Sequence, residues 1–528
     1  MALSSLLALL MLIWSPPVGD LAAQVFRTEL FQRAGLAIWN GSWYGGHYTL
    51  TYSVLFPPLA ALLGPRLVGM LAVIASSYLF DRLVRDRWGV EARWATLWFA
   101  AGVVTLLADG QLTFALGVAF GLAALRCLQL ERGPLTLLAA AACPLASPVA
   151  GAFLAGVLIV GAIEPGRRPR LLPLAAGALA LFITVAPNIA FPEAGHFPFV
   201  FSSYVAIPLW CAGALLLTRG VRDEERQLRR VIAGYLLAST LVWLTPNALG
   251  GNAVRLGALF GGPVLAAVLL SRRPRPAIPA WFFAPLLALA IAGSLYWQLT
   301  ASVAQIARSV GDPSTTSAYF HPAARWLRAH GATGTRIEVP PTANHWESAY
   351  LAPKFELARG WLRQLDTTRD DLFYEDKALT AASYGAWLRA NAISYVALPD
   401  APLDYSSQDE RRLILSEPSY LAPRFRSEHW RIYAVRDPKP LVAPLAGAAA
   451  ETRWIGRQGF ALDVERPGEF LVRVNFTPYW SIARGAGCIL RRGDWTVARA
   501  SHPGVFRVAA DFSVGRAWNA VTGAKKTC

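Results

Sequence analysis

Charge is scarce in this chain. Only 16% of its 528 residues are charged, against 54% hydrophobic, and the mean hydropathy is +0.37. That balance excludes an ordinary soluble enzyme and points to a polytopic membrane protein. Lysine is nearly missing: Lys354, Lys377, Lys439, Lys525 and Lys526 are the whole set, so the formal charge of +16 is almost all arginine. The arginines are spread through short loops and form no basic patch with interleaved aromatics, which excludes nucleic acid as a partner. There are five cysteines, with no CxxC and no His/Cys constellation, so nothing suggests a zinc site. No P-loop, dinucleotide fingerprint or nucleophile elbow is present either.

Long apolar runs fill the first 300 residues. Eleven candidate spans are expected, at roughly 2–16, 66–82, 93–108, 111–129, 134–145, 148–163, 170–187, 199–218, 227–244, 252–270 and 279–299. Several fall short of the ~20 residues an untilted span needs. The pair around Pro144 and Pro148 reads as a re-entrant hairpin or one broken helix. Residues 55–63, with Pro57 and Pro58, read as a partial insertion. The first segment lacks a basic n-region and a small-residue cleavage site, so it is expected to stay as a helix. Alternate loops hold seventeen arginines, from Arg82 to Arg275, and the opposite loops only Arg27, Arg33 and Arg66. The positive-inside rule puts the arginine-rich set in the cytoplasm, so the first loop and everything after residue 300 face outward.

The polar tail alternates helix and strand signals over 305–440, as expected of an α/β module. A Pro/Ala-rich linker (438–450) follows. Residues 441–528 read as a β-sandwich, with Phe470, Val472, Val474 and Phe476 on one face of a period-two strand. Cys127, Cys143 and Cys211 lie in or beside spans and read as inert. Cys488 and Cys528 fall in the outward tail, where oxidation is permitted, and are expected to form a disulfide or to remain two free thiols.

The candidate chemistry starts at Asp20, a few residues past the first span. Charge near hydrocarbon is costly, so an acid held there marks a site; a cap on the amphipathic stretch that follows is the plainer reading. Downstream come Trp39, Trp43, Tyr44, His47 and Tyr48, with Gly45-Gly46 permitting close backbone approach to a ligand. This first loop resembles the GT-C superfamily, many-pass membrane glycosyltransferases that use polyprenyl-phosphate sugars, and related bacterial membrane proteins. The likeness runs loosely over residues 1–300 and extends to the outward tail. One departure is plain: the acidic pair usual in this loop is missing, for Asp20 stands alone with Glu29 nine residues on.

The resemblance implies that Asp20 is the base taking the proton of an acceptor hydroxyl. Asp109, in the next outer loop, is the candidate second acid, or simply a helix cap. A leaving phosphate needs a cation, and Arg255, at the outer end of a span, is the best placed; Arg27 and Arg66 are weaker choices. His196 is a further candidate for the cavity. In the tail, His345, Trp346, Glu347, Arg359, Trp361, Arg363 and Asp366 supply rings, carboxylates and guanidinium groups of the kind that hold sugars, or else pack on their own module. No cofactor is expected, and a divalent cation stays open. The expected partners are a polyprenyl-phosphate sugar, a glycan or lipid acceptor of a bacterial cell envelope, and the membrane. A lipid-linked-sugar flippase and a non-catalytic glycan-assembly protein are the competing functions.

Overall fold

The computed structural model describes residues 1–163, 168–193, 195–219, 226–272, 279–374, 379–523 and 526–527. Arg167, Arg222, Arg273, Arg275 and Cys528 lie outside them. The chain divides into two compact units. The first comprises Met1–Gln24, Tyr52–Ala186 and His196–Val310; the second comprises Val25–Thr51, Pro187–Gly195 and Gly311–Cys528.

The first unit is helical. It contains α1 (Ala2–Trp14), the start of α2 (Gly19–Ala34), α3 (Phe56–Leu63), α4 (Pro65–Trp88), α5 (Arg93–Gly102), α6 (Thr105–Ala108), α7 (Leu112–Gln129), α8 (Gly133–Ala146) and α9 (Pro148–Ala162). Most of α10 (Leu171–Ala190), then α11 (Phe201–Tyr204), α12 (Ala206–Leu217), α13 (Arg226–Leu244), α14 (Val254–Arg272) and α15 (Ala280–Ser309) complete it. All eleven expected segments are helical. Among the described residues six helices are long and apolar enough to cross a membrane, or seven if the pair α1–α2, bent by 78°, is one broken span. The other helices fall outside that length and composition. At 1.5 Å per residue α8 and α9 are too short, and α13 carries Arg226, Arg229 and Arg230 in its first two turns.

Proline placement explains the breaks. Pro57 and Pro58 occupy the first turn of α3, where a missing N–H costs nothing, so they start a helix instead of breaking one. Ser147 is extended between α8 and α9, and its Oγ accepts the Ala150 N–H at 3.5 Å, capping α9 ahead of Pro148.

The second unit contains an α/β layer and a sandwich. After β1 (Trp39–Asn40) and β2 (His47–Tyr48) come α16 (Ser317–Ala329), β3 (Arg336–Glu338), α17 (Glu347–Tyr350), β4 (Glu356–Leu357), α18 (Arg363–Arg369), α19 (Ala381–Ala390), β5 (Ile393–Pro399), α20 (Gln408–Leu415), β6 (Leu421–Arg426) and β7 (Trp430–Val435). These strands form a mixed sheet in the order β4-β3-β5-β7-β6, with β3 parallel to β4 and β5.

The sandwich follows: β8 (Val442–Pro444), β9 (Ala449–Gly456), β10 (Gly459–Arg466), β11 (Gly468–Asn475), β12 (Trp480–Arg484), β13 (Gly487–Arg492), β14 (Trp495–Ala500), β15 (Gly504–Ala510), α21 (Val514–Val521) and β16 (Lys526–Thr527). Its two sheets, β12-β15-β10-β9 and β16-β13-β14-β11-β8, share one apolar core containing Phe460, Leu462, Val508, Phe470, Val472 and Ile489. The expected linker is not wholly a linker, since β8 lies in it and pairs with β11. Cys127, Cys143 and Cys211 are free thiols, and Cys488 is disulfide-bonded.

Candidate functional site

The helical unit builds one polar constellation. Ser15, in the left-handed region, ends α1, and its N–H returns to the Met11 carbonyl at 2.9 Å. Two prolines turn the chain into α2, leaving Asp20 in the first helical turn, where the N-terminal dipole favours a carboxylate. Asp109 follows the last residue of α6. An acid at a helix C-terminus opposes the dipole, so it gains nothing there as a cap.

Gly110 then adopts φ +72°, and a Cβ on it would lie 2.6 Å from the Leu21 nitrogen and 3.2 Å from the Asp20 carbonyl carbon. Glycine therefore lets the 109–111 turn lie directly on the backbone of Asp20. The two acids, 89 positions apart in sequence, become neighbours. Burial pushes the Asp109 carboxyl up to about 6; the Asp20 charge adds to that rise and Arg255 opposes it. The Ser302 hydroxyl faces it from α15, yet neither Ser302 Oγ nor Asp109 Oδ1 has a well-formed hydrogen-bond partner among the described residues.

Arg255 opens α14 after a 3-10 turn at Gly250–Ala253. That turn is held by Tyr235, whose hydroxyl donates to the Ala253 carbonyl at 2.9 Å. The Arg255 guanidinium lies over the Phe114 ring, 5.4 Å from its centroid. Phe114 lines a cavity of ≈ 560 Å³ bounded by α4, α7, α9, α13 and α14. One stripe of α7 (Phe114, Gly117, Val118, Gly121, Leu125, Leu128) follows the cavity along the helix, about 21 Å at helical rise. Its walls are apolar through the middle, with Arg87, Gln129, Glu131 and Arg170 at the far end. Arg66 lines a smaller recess beside Leu21 and Gly110.

The other expectations are revised. His196 is exposed and does not line the large cavity. The first-loop rings belong to the second unit and are consumed by packing. Trp43 lies between Phe26, stacked at 4.2 Å, and His47, stacked at 5.4 Å, with Arg27 5.9 Å from its ring centroid. Trp39 packs edge-on against Tyr48 and Trp480. The Tyr44 hydroxyl donates to the Gly360 carbonyl at 2.6 Å. Gly46 (φ +114°) admits a neighbour, but that neighbour is Trp39, 2.2 Å from where a Cβ would stand. Close approach is real, and it serves the fold. Burial, assisted by Arg369 and Arg27, drives the His47 imidazole down to about 3, so it stays neutral.

The tail residues do converge, on each other. Arg359 binds Asp366 through two hydrogen bonds, Nε–Oδ1 at 3.1 Å and Nη2–Oδ2 at 2.6 Å, and reaches Glu410 at 3.3 Å and Ser406 at 2.9 Å. Arg363 holds Asp404 by a similar fork at 2.9 and 2.6 Å and donates to the Tyr374 hydroxyl at 2.7 Å. His345 (φ +55°) stacks on Trp361 at 3.5 Å and stands between Asp404 and Glu347, at 3.4 and 3.5 Å.

Burial works against both members of the His345–Asp404 pair. Their mutual bond prevails: Asp404, held also by Arg363, stays well below the usual carboxylate range, and His345 is raised. Burial pushes Glu410 and Asp370 up to about 7. Trp346 stacks on Tyr350 at 5.2 Å. These residues take the second of the two arrangements expected of them, packing on their own module as a buried ionic lattice. Sequence reasoning missed Asp404, Glu410 and Tyr374, which lie 8 to 51 positions from their partners. Only the Asx-type spacing Asp404-x-Ser406 marks any of them.

Among the described residues no three His, Cys, Asp or Glu side chains are arranged to hold a metal ion. No protein-family model matches the chain, and no curated protein matches it either. Among solved structures the chain is similar to the arabinofuranosyltransferase AftD from mycobacteria, with 16% sequence identity and a TM-score of 0.49. The match covers 99% of this chain and 60% of that one, so the chain spans less than two thirds of that relative's length.

Proposed function

We propose that the chain is a membrane glycosyltransferase of the GT-C kind. It moves a sugar from a polyprenyl-phosphate donor to a cell-envelope acceptor on the outer face of the membrane. The observation that carries this reading is the meeting of Asp20, Asp109 and Arg255 beside the Phe114 end of an apolar cavity. An isoprenoid tail suits the apolar stripe of α7, and a phosphate suits the guanidinium at its end. The acid missing from the first loop is supplied from the second: Asp109 stands beside Asp20, and the pair is rebuilt across two turns. The arginine distribution supports an outward-facing site.

In this reading the Asp20 carboxylate takes the proton of the acceptor hydroxyl as the acceptor oxygen bonds to the anomeric carbon. The bond from that carbon to the phosphate oxygen breaks, and the phosphate leaves with the electron pair, its charge met by Arg255. Asp109 and Ser302 orient Asp20. The test is transfer by purified Asp20→Asn in nanodiscs. A loss of about 10²–10⁴-fold is expected for a general base, with polyprenyl phosphate still bound. Wild-type transfer by this variant refutes the role of Asp20. Substrate crossing vesicles with no glycosidic bond formed establishes the flippase instead.

A further inference from the structure

The last helix of the second unit has a face with no packing partner among the described residues. α21 packs Ala517 and Ala520 onto the sandwich core. On the other side it exposes Val514 (81%), Trp518 (68%) and Val521 (51%), residues spaced four and three apart, with Phe512 (53%) just before them. Helical spacing puts these side chains on one stripe, which is unusual for a surface helix in water. Arg516 flanks the stripe and is paired with Asp511 at 2.8 Å. From 513 to 528 the sequence carries Arg516, Lys525 and Lys526 and no acidic residue.

The neighbourhood identifies the occupant. The second unit includes Pro187–Gly195, and Pro187–Ala190 is the last turn of α10, one of the candidate membrane spans. The Tyr479 hydroxyl donates to the Ala190 carbonyl at 2.7 Å. Phe191, the next residue, packs on Tyr479 at 5.1 Å and on Phe512 at 6.2 Å. Phe512 is two residues from the start of α21. The exposed stripe therefore starts two residues from a ring that packs on Phe191, the residue following the last turn of a candidate span.

We propose that α21 is an interfacial helix that lays Val514, Trp518 and Val521 into the headgroup region of the bilayer at the Ala190 end of α10. Tryptophan favours that depth, an apolar face over a basic flank is the interfacial pattern, and the basic end complements anionic lipids. The proposal rests on α10 crossing a membrane and is independent of the transferase chemistry. Its role is to fix the sandwich against the lipid surface.

The experiment uses the full chain, with Cys127→Ser, in nanodiscs containing phosphatidylglycerol. Nitroxide labels go on Trp518→Cys, on Val514→Cys and, as reference, on Glu428→Cys, whose native side chain is 87% exposed. At 514 and 518, collision with oxygen should exceed collision with a water-soluble nickel chelate severalfold, with the order reversed at 428. Chelate access at 514 and 518 equal to that at 428 overturns the proposal. Dipolar broadening between labels of two chains also overturns it, because a second copy then covers the stripe. Both labelled positions are exposed, so neither substitution removes a core contact, and the two report independently.

Discussion

The Arg255 guanidinium stands 5.4 Å from the centroid of the Phe114 ring, so a full positive charge sits against a ring that lines a cavity whose middle is hydrocarbon-like. In a soluble core that placement is costly unless the charge is paired. Under the proposed function it serves as the phosphate anchor. Arg255→Ala is expected to weaken binding of polyprenyl phosphate by about ten- to a hundredfold, since a charge-assisted hydrogen bond contributes about 1.5–3 kcal/mol. Arg85→Ala, which removes only a surface pair with Asp81, should leave binding unchanged. Ligand-dependent thermal shifts of both variants check this.

Asp109 makes that binding depend on pH. With its carboxyl pushed to about 6, it is neutral below that value and adds a negative charge beside the phosphate above it. Affinity for polyprenyl phosphate should fall as pH rises through about 6, apart from any change due to the phosphate itself. Asp109→Asn should remove the protein's share of that fall. Binding titrations of wild type and variant between pH 5 and pH 8 separate the two contributions.

The buried lattice of the second unit sets a stability profile. Glu410 faces Arg359, Tyr384, Asp366 and Glu338, and burial raises its carboxyl to about 7. The folded chain thus binds a proton that the unfolded chain releases near pH 4. Stability falls as pH climbs from about 4 to about 7. His345, raised by Asp404 and Glu347, acts in the same direction: its contribution is whole below about 6.5 and is lost above it. Asp404 opposes only at strong acid, where its protonation breaks the pair. The midpoint of thermal unfolding should therefore be higher at pH 5.5 than at pH 8, and Glu410→Gln should flatten the slope.

Arg359 is the keystone of that lattice. Its removal leaves Asp366 and Glu410 buried without their cation, so Arg359→Ala should cost about 3–5 kcal/mol. Gly46→Ala tests the other anchor: a methyl at φ +114° would strike the Trp39 ring, and the variant should unfold at lower denaturant. Chemical denaturation in detergent measures both.

Cys488 is disulfide-bonded, and with the three helical-unit thiols free, Cys528 is the expected partner. Non-reducing peptide mapping should recover the two as one linked peptide, and two free thiols would exclude the bond.

Local signals carried the region after residue 310. Helix α19 and strand β7 fall where periodicity puts them, and Phe470, Val472 and Val474 share the buried face that alternation demands. Hydropathy found the eleven helices, because burial against lipid or neighbouring helices needs apolar runs wherever it occurs. It could not say which of them cross a membrane, since length and bend matter as much as composition.

The sequence by itself determined the class of molecule: the scarcity of charge, the arginine asymmetry and the two patterns of the tail follow from local composition, which is all a linear reading needs. It also singled out Asp20, Asp109 and Arg255 one by one. Only the tertiary structure decided that these three meet, that the first-loop rings pack against other protein rings, and that His345, Arg359, Arg363 and Asp366 pair with Asp404 and Glu410. Each of those outcomes depends on a close approach between segments far apart in the chain, such as Gly110 on Asp20 or Trp39 on Gly46. Such an approach is set by packing, and packing leaves no periodic trace in sequence.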